Sequence, residues 1–199
     1  MDDGGYDAFD DPYAYKNFRT LKNLLGIRDF ETLEAFELEM TTLRANEPLP
    51  IGNFSVAHYR AIHRFLFQDV YRWAGEYRTV RTSKGGNPFC FPEHIASTMT
   101  KLFRGLEGGP DFGATSAEDF VAAAAVFLAE LNAIHPFREG NGRSQLAFLH
   151  LLGDAAGYPF DLTRLDRDTF LPAMIASYDL NTVPLIEELR RLLAPAKAG

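Results

Sequence analysis

The side chains best suited to chemistry lie in one stretch, residues 134–146, with the sequence IHPFREGNGRSQL. Its histidine can take or give a proton near neutral pH, since the unperturbed pKa of imidazole is about 6.5. Its glutamate is a natural ligand for Mg²⁺ beside phosphates, because hard cations prefer oxygen. Its glycines let a backbone approach an anion closely, and its arginine offers a fork of donors to phosphate oxygens. Together these residue types indicate a phosphate-binding site with a general base.

Each of these residues alone also has an ordinary structural explanation. A histidine before a proline can be buried and satisfied at a helix end, and Gly-Asn-Gly can simply begin a helix. The complete set of types at this spacing favours the functional interpretation.

Composition limits the classes of protein to consider. The chain has 199 residues, which suits one domain with a substantial core. Its net charge of −7 disfavours binding to nucleic acid or to an anionic membrane. Cys90 is the only cysteine, which excludes an intrachain disulfide and a cysteine-based zinc site. The acidic start, residues 1–11, is unlike a signal peptide and predicts synthesis for the cytosol, with export by a signal-independent route left open.

Apolar residues spaced three and four apart predict a helical protein. Asp29, Ser55 and Ser116 are suited to cap helices at their N-termini. The predicted helices cover about residues 18–25, 30–44, 55–73, 93–106, 116–132, 141–157, 166–178 and 184–193. This pattern predicts an all-α helical bundle.

Two sets of charged or titratable residues on these helices are interpreted as structural. His58 and His63 are not one helical turn apart, so they are expected to be packing or surface histidines rather than a metal pair. Four glutamates of the 30–44 helix are expected to form a solvated face: Glu31, Glu34, Glu37 and Glu39.

One segment departs from the helical period. Residues 76–83 alternate in polarity, residues 84–87 read KGGN, and Phe89 and Phe91 resume the alternation. This predicts a single β-hairpin with a strand over 76–83 and a turn at 84–87. A lone hairpin is either covered by the protein or used to pair with an extended partner, and both explanations stay open from the residues alone.

Residues 135–143 resemble the Fic motif, H-x-F-x-[D/E]-G-N-G-R-x-x-R, with every specified residue present across these nine positions. The stretch 67–76 and the hairpin are also similar to parts of bacterial Fic toxins and Fic effector domains. The resemblance covers residues 15–193 and leaves tails at 1–14 and 194–199. It implies a Fic-type helical bundle with the hairpin as a flap beside the active site of a bacterial cytoplasmic protein.

The resemblance implies transfer of AMP from ATP to a hydroxyl side chain of a target protein. In this mapping His135 is the base that deprotonates the hydroxyl, and Glu139 holds Mg²⁺ between the α- and β-phosphates. Phe137 points into the core and fixes the loop.

The phosphate contacts come from the same motif. Asn141 and the backbone amides around Gly140 and Gly142 would hold the α-phosphate, and Arg143 would bind the β-phosphate. These are the parts expected when a protein positions phosphates and stabilises charge.

The resemblance also implies protein partners. In the family the flap pairs with an extended segment of the target, which makes Lys84, Phe89 and Phe91 the candidates to face it. The family's inhibitory motif, [S/T]-x-x-x-E-[G/N], is absent from this sequence. A separate small antitoxin-like protein is therefore the implied inhibitor.

Leu146 is the one departure from the motif, because the family has a second arginine there. That arginine meets the γ-phosphate and pairs with the inhibitory glutamate. Losing such a charged contact costs roughly 1.5–3 kcal/mol. Four outcomes stay open: slow transfer of AMP, use of another nucleotide or diphosphate-bearing donor, substitution by Arg138, Arg81 or Lys84, or an idle enzyme.

Two other functions compete with AMP transfer. One is a protein kinase like the related Doc toxins, which also lack the second arginine but carry a lysine where this chain has Gly142. The other is a Fic-fold module that binds a nucleotide or peptide without catalysis.

Overall fold

The computed structural model describes residues 11–16, 19–84 and 86–194. Helices and one short hairpin make up its regular structure. They are α1 (Phe30–Ala45), α2 (Val56–Phe67), β1 (Ser83–Lys84), β2 (Asn87–Pro88), α3 (Pro92–Phe103), α4 (Ala117–Ile134), α5 (Asn141–Ala156), α6 (Arg167–Tyr178) and α7 (Val183–Leu192). The predicted all-α bundle with one hairpin is confirmed. In the described part of the chain, every helix is too short or too polar to cross a membrane.

The helix starts follow local capping chemistry. The Asp29 carboxylate accepts from the Thr32 amide at 2.9 Å, and the Ser55 hydroxyl accepts from the His58 amide at 3.3 Å. Ser116 accepts from the Asp119 amide at 3.1 Å. Each cap satisfies an amide that the first helical turn leaves unpaired, so all three predicted start points are confirmed.

Two apolar clusters hold the helices together, and both touch the motif region. The first lies around α2, α3 and α5, and Tyr59, Ile62 and Phe148 are nearly inaccessible there. The second joins α4 to α6 and α7 through residues such as Phe120 and Leu189. Because α4 and α5 contribute to both clusters, the loop between these two helices is anchored from both sides.

The short helix predicted for 18–25 is wrong over the residues that the structure describes, 19–25. Leu21 instead forms an isolated antiparallel bridge with Ala14, and its side chain packs into the first cluster. Gly26 turns the chain with a φ of +71°. Pairing with the preceding segment therefore replaces the local helix.

The second helix is shorter than predicted, since it ends at Phe67 instead of near Trp73. Residues 68–75 fold back along α2. Gly75 comes within reach of this helix, where its amide donates to His63 Nδ1 at 2.8 Å and its carbonyl accepts from Arg60 Nε at 2.8 Å. These bonds replace those that a longer helix would have made.

The hairpin is also shorter than predicted. Its antiparallel pairs are Ser83 with Pro88 and Lys84 with Asn87, so the strand predicted over 76–83 is wrong for most of its length. A main-chain bond from Phe89 to Thr82, 3.1 Å, extends the pairing by one step. Upstream of Ser83, the Arg78 amide instead donates to the Pro136 carbonyl of the α4–α5 loop at 2.9 Å.

The described part of the N-terminal segment lies against the helices. Asp11 forms a buried ion pair with Arg138, 2.7 Å long. The Tyr13 ring meets Trp73 edge-on with centroids 5.6 Å apart, and Tyr15 lies under the Arg28 guanidinium at 5.1 Å. Residues 1–10 and 195–199, which belong to the two predicted tails, fall outside the described residues.

Candidate active site

The loop between α4 and α5 carries the motif, and two residues in left-handed backbone conformations shape it. His135 ends α4 with a φ of +49°, and Gly140 begins α5 with a φ of +78°. A Cβ placed on Gly140 would lie 2.1 Å from the ring of Phe67. The first motif glycine is therefore required by both its conformation and its contact with α2.

Asn141 closes this loop on itself. Its side-chain oxygen accepts from the Phe137 amide at 2.9 Å, and its side-chain nitrogen donates to the Phe137 carbonyl at 2.8 Å. Because both ends of this buried amide are used inside the loop, the structure gives it a positioning role. The α-phosphate contact predicted for Asn141 stays a prediction.

His63 holds the loop from the α2 side. Its ring lies between Phe137 and Phe67, with centroids 3.7 and 4.7 Å away. Nδ1 accepts from the Gly75 amide, so Nε2 carries the proton that is donated to the Glu139 carbonyl at 3.0 Å. Burial lowers the pKa of His63 to about 3, which keeps this ring neutral. The prediction of a packing histidine is confirmed, as is the core position of Phe137.

His135 is buried and neutral. Its Nδ1 lies 3.2 Å from the Asn132 carbonyl, which can only accept a hydrogen bond. Nδ1 therefore carries the proton, and Nε2 carries the lone pair that can take one. Burial lowers the pKa of His135 to about 3, with smaller contributions in the same direction from the charges of Arg78 and Lys84. The side chain is thus in the form that a general base requires.

Glu139 lies at the turn into α5. One carboxylate oxygen accepts from the Gly140 amide at 2.9 Å. Burial raises the pKa of Glu139, and the neighbouring negative charge of Glu37 raises it further. In the part of the chain that the structure describes, no three His, Cys, Asp or Glu side chains cluster as a metal site. A cation bound by Glu139 would therefore need ligands from outside the protein as well.

Arg143 lies on the first turn of α5 and is held on three sides. Its guanidinium is 4.7 Å above the Phe67 ring, donates to Thr41 Oγ1 at 3.0 Å, and forms a short ion pair with Glu37. Tyr71 donates a second short hydrogen bond to the other Glu37 oxygen. The planar fork is therefore oriented before any ligand binds.

The prediction that Glu37 belongs to a solvated face is wrong. Only 8% of Glu37 is exposed, because it lies on the buried side of α1 and binds Arg143 and Tyr71. The sequence did contain a signal: Glu37 shares the apolar side of the helix with Leu33. A carboxylate at a core position needs a partner, and sequence spacing alone did not reveal which one.

Gly142 differs from Gly140 although both belong to the same Gly-Asn-Gly unit. Gly142 has no positive φ, and a Cβ placed on it would meet nothing within 4 Å. The protein's own packing therefore does not require glycine here. The open space beside Gly142, in the first turn of α5, suits the close approach of an anion to the helix N-terminus.

The two aromatic side chains of the hairpin region, Phe89 and Phe91, differ in their exposure. Phe89 is 9% exposed and stacks on the His135 ring at 3.9 Å, so its position does not support the predicted target-facing role. Phe91 is 44% exposed and lies under the Arg81 guanidinium at 4.3 Å. Lys84 is half-buried on β1, close enough for its charge to affect His135. The flap thus covers the histidine and exposes Phe91.

Leu146 is half-buried and packs against the second apolar cluster. Of the cations considered as substitutes for the missing arginine, Arg138 is ion-paired with Asp11 in the interior and Arg81 lies on Phe91. Neither side chain is placed beside Leu146 by these contacts.

Comparison with known proteins identifies the family. The model of the Fic/DOC family matches residues 53–152, which include α2, the hairpin, the motif and most of α5. The chain belongs to the Fic/DOC family. The motif resemblance is therefore confirmed.

Relatives of this Fic domain come from several bacteria. A probable protein adenylyltransferase, y4lH of Sinorhizobium fredii, is 48% identical over 189 residues, covering 94% of this chain and 98% of the relative. The protein adenylyltransferase VbhT of Bartonella schoenbuchensis is 35% identical, and the match covers 94% of this chain but 40% of VbhT.

Solved structures share the fold. BepC of Bartonella tribocorum, solved with bound AMPPNP, superposes with a TM-score of 0.82 at 29% identity, covering 93% of this chain and 97% of that chain. The Fic domain of a putative cell filamentation protein of Bartonella quintana, with bound ADP, gives 0.84 at 31% identity, covering 93% and 95%. The all-α bundle with a hairpin is therefore the fold of Fic effector domains.

Proposed function

We propose that this chain is a protein adenylyltransferase, which transfers AMP from ATP to a hydroxyl side chain of a target protein. The observation that carries the proposal is the α4–α5 loop: it holds a neutral imidazole, an open helix N-terminus and a pre-oriented arginine on one rigid turn. The adenylyltransferase names of relatives that match nearly the whole chain support the same reaction.

His135 would remove the proton from the target hydroxyl through Nε2, because Nδ1 already carries a proton directed at Asn132. The oxygen then attacks the α-phosphorus. A bond forms between them as the bond from the α-phosphorus to the bridging oxygen breaks, and pyrophosphate leaves. The neutral state of His135 means that no ionisation step has to precede this attack near pH 7.

The N-terminus of α5 would bind the phosphates. The Gly142 amide lies in the first turn of this helix, where unpaired N–H groups and the helix dipole favour an anion. Arg143 would bind the β-phosphate and stabilise the charge that develops on pyrophosphate. The Gly140 amide is bonded to Glu139 here, so it would join the phosphate site only if that carboxylate turned away.

Mg²⁺ fits the donor set of this loop. Glu139 supplies one half-buried carboxylate, and Mg²⁺ is commonly held by one or two carboxylates together with substrate phosphates and water. The ion would neutralise charge on the α- and β-phosphates and orient them. The raised pKa of Glu139 also fits a carboxylate whose charge is best stabilised by a cation.

Leu146 makes the γ-phosphate the weakest point of nucleotide binding. Its side chain is packed against the second cluster and carries no charge. We infer that ATP is bound mainly through its α- and β-phosphates. The bound AMPPNP and ADP in the Bartonella structures indicate nucleotide binding by those relatives.

The partner would be a protein with an extended segment. The half-buried strand Ser83–Lys84 of the hairpin and the exposed Phe91 would be the surface offered to it. A separate antitoxin-like inhibitor and a bacterial cytoplasmic location, with export as an effector left open, remain predictions from the sequence.

Labelled nucleotides test the reaction. The protein is incubated with Mg²⁺, bacterial lysate and ATP labelled at either the α- or the γ-phosphate, with His135→Ala as the control. Transfer of the α-label alone, lost in His135→Ala, is the expected result. Transfer of the γ-label would instead identify a Doc-like kinase, and no His135-dependent label from any nucleotide would leave a binding module.

A further inference from the structure

Arg78 is a buried cation that contacts main-chain carbonyls. It is 2% exposed and is among the largest fully buried side chains. Nε donates to the His135 carbonyl at 2.8 Å, Nη1 to Val80 at 2.7 Å, and Nη2 to Cys90 at 2.5 Å and to Ile134 at 3.2 Å. Burying a charge without a carboxylate is costly, so its fork has to be well satisfied by these acceptors.

The acceptors belong to two separate parts of the molecule. Ile134 and His135 end α4, where carbonyls lack helical partners and the helix dipole is negative. Val80 and Cys90 lie on the two arms that lead into and out of the hairpin. One side chain therefore ties both arms of the flap to the backbone of the histidine.

Main-chain bonds follow the same path. The Arg78 amide donates to the Pro136 carbonyl at 2.9 Å, and the Cys90 amide donates to the Ala133 carbonyl at 3.1 Å. These bonds fix the two arms on either side of the α4 terminus. The guanidinium fills the space between them and joins all three segments.

His135 needs such support because of its backbone. A φ of +49° is a left-handed conformation, which is unfavourable for a residue with a Cβ. Arg78 donates to the Ile134 and His135 carbonyls, so it holds the peptide groups on both sides of the His135 Cα. Phe89, on the arm held through Cys90, then stacks on the imidazole.

We propose that Arg78 is a positioning residue that fixes the His135 imidazole and the hairpin in one common register, so that the base and the docked target are aligned together. The role of His135 in this inference rests on the proposed function. Arg78 itself has no contact with the phosphate-binding residues Gly142 and Arg143 in the described structure. Loss of Arg78 should therefore impair transfer without weakening nucleotide binding.

The test compares Arg78→Lys and Arg78→Met with Arg191→Lys and Arg191→Met. Arg191 is a suitable control, because it also donates to a carbonyl, that of Arg164, but lies on α7, outside the hairpin and the motif loop. The first measurement is the dissociation constant of AMPPNP by calorimetry. The second is the initial rate of His135-dependent labelling of lysate proteins against the concentration of α-labelled ATP. The third is hydrogen exchange of the amides in residues 82–91.

Arg78→Lys is expected to label roughly 10- to 100-fold more slowly at saturating ATP, since a misplacement of about 1 Å has that effect. The AMPPNP dissociation constant should stay within about twofold of wild type, and the hairpin amides should exchange faster. The Arg191 variants should match wild type in all three measurements. Arg78→Lys keeps the charge and part of the volume, so it tests the inference even if Arg78→Met fails to fold.

Two results would overturn the inference. One is a folded Arg78→Lys protein whose labelling rate and hairpin exchange equal those of wild type. The other is a parallel loss of AMPPNP binding and labelling, which would indicate a general structural role. If wild type shows no labelling, the proposed function fails, whereas hydrogen exchange still decides whether Arg78 holds the hairpin.

Discussion

The two glycines of the motif should respond to the same substitution in opposite ways. Gly140→Ala places a methyl group 2.1 Å from the Phe67 ring and puts a residue with a Cβ at a φ of +78°. Phe67 cannot easily retreat, because it is fully buried between His63 and the Arg143 guanidinium. Gly142→Ala meets no atom within 4 Å and has no positive φ.

The magnitudes follow from these contacts. For Gly140→Ala the left-handed conformation costs roughly 1–2 kcal/mol and the overpacking roughly 1–3 kcal/mol, so the free energy of unfolding should fall by about 2–5 kcal/mol. Gly142→Ala should change it by less than about 1 kcal/mol, in the stabilising direction, because alanine is the better helix former. If the phosphates approach the Gly142 amide, its new methyl group should weaken AMPPNP binding at least about tenfold.

Urea unfolding and calorimetric titration with AMPPNP separate the two effects. Gly105→Ala is a matched control, because a Cβ there also meets nothing within 4 Å and the residue lies away from the motif loop. Unchanged stability in Gly140→Ala would refute the packing argument. Normal AMPPNP binding by a stable Gly142→Ala would refute the assignment of the phosphates to this helix N-terminus.

Three further predictions concern the missing arginine, acid stability and helix capping. Leu146→Arg should strengthen ATP binding roughly ten- to a hundredfold without strengthening ADP binding, since ADP has no γ-phosphate; equal gains for ATP and ADP, or a similar gain in Leu146→Met, would contradict this. His63 and His135 have pKa values of about 3 when folded and about 6.5 when unfolded, so below pH 6.5 the unfolded chain binds protons that the folded chain does not. The free energy of unfolding should therefore fall by about 1.4 kcal/mol per pH unit for each histidine as the pH drops from 6.5, and equal urea midpoints at pH 7.5 and 5.5 would count against it. Asp29→Ala should cost about 1 kcal/mol in urea unfolding while Asp29→Asn costs little, because asparagine can still accept from the Thr32 amide; an equal loss in both variants would exclude the capping explanation.

The sequence predicted the features that depend on short spacing. Caps such as Asp29 and Ser55, the helical periods and the motif between α4 and α5 are all local patterns, and the structure confirms them. The nine contiguous motif residues identified the family for the same reason. These features depend only on residues that are close together in the sequence, so they can be predicted from it.

The errors arose where tertiary contacts compete with local preference. Residues 19–25 lost their helix to a pairing with the N-terminal segment. Glu37 was assigned to solvent, although it binds Arg143, which lies 106 positions further along the chain. No short window of sequence contains both Glu37 and Arg143, so this contact became visible only in the folded arrangement.

The acceptors of Arg78 have a consequence for how this protein could change over evolution. All four are peptide carbonyls, a group that every amino acid carries. The side chains at positions 80 and 90 can therefore be replaced without removing a hydrogen-bond acceptor of Arg78. A lineage could diversify the sequence of the hairpin, and with it the choice of modified protein, while inheriting the same chemistry unchanged. The same independence makes the hairpin a natural place to graft new recognition sequences in the laboratory.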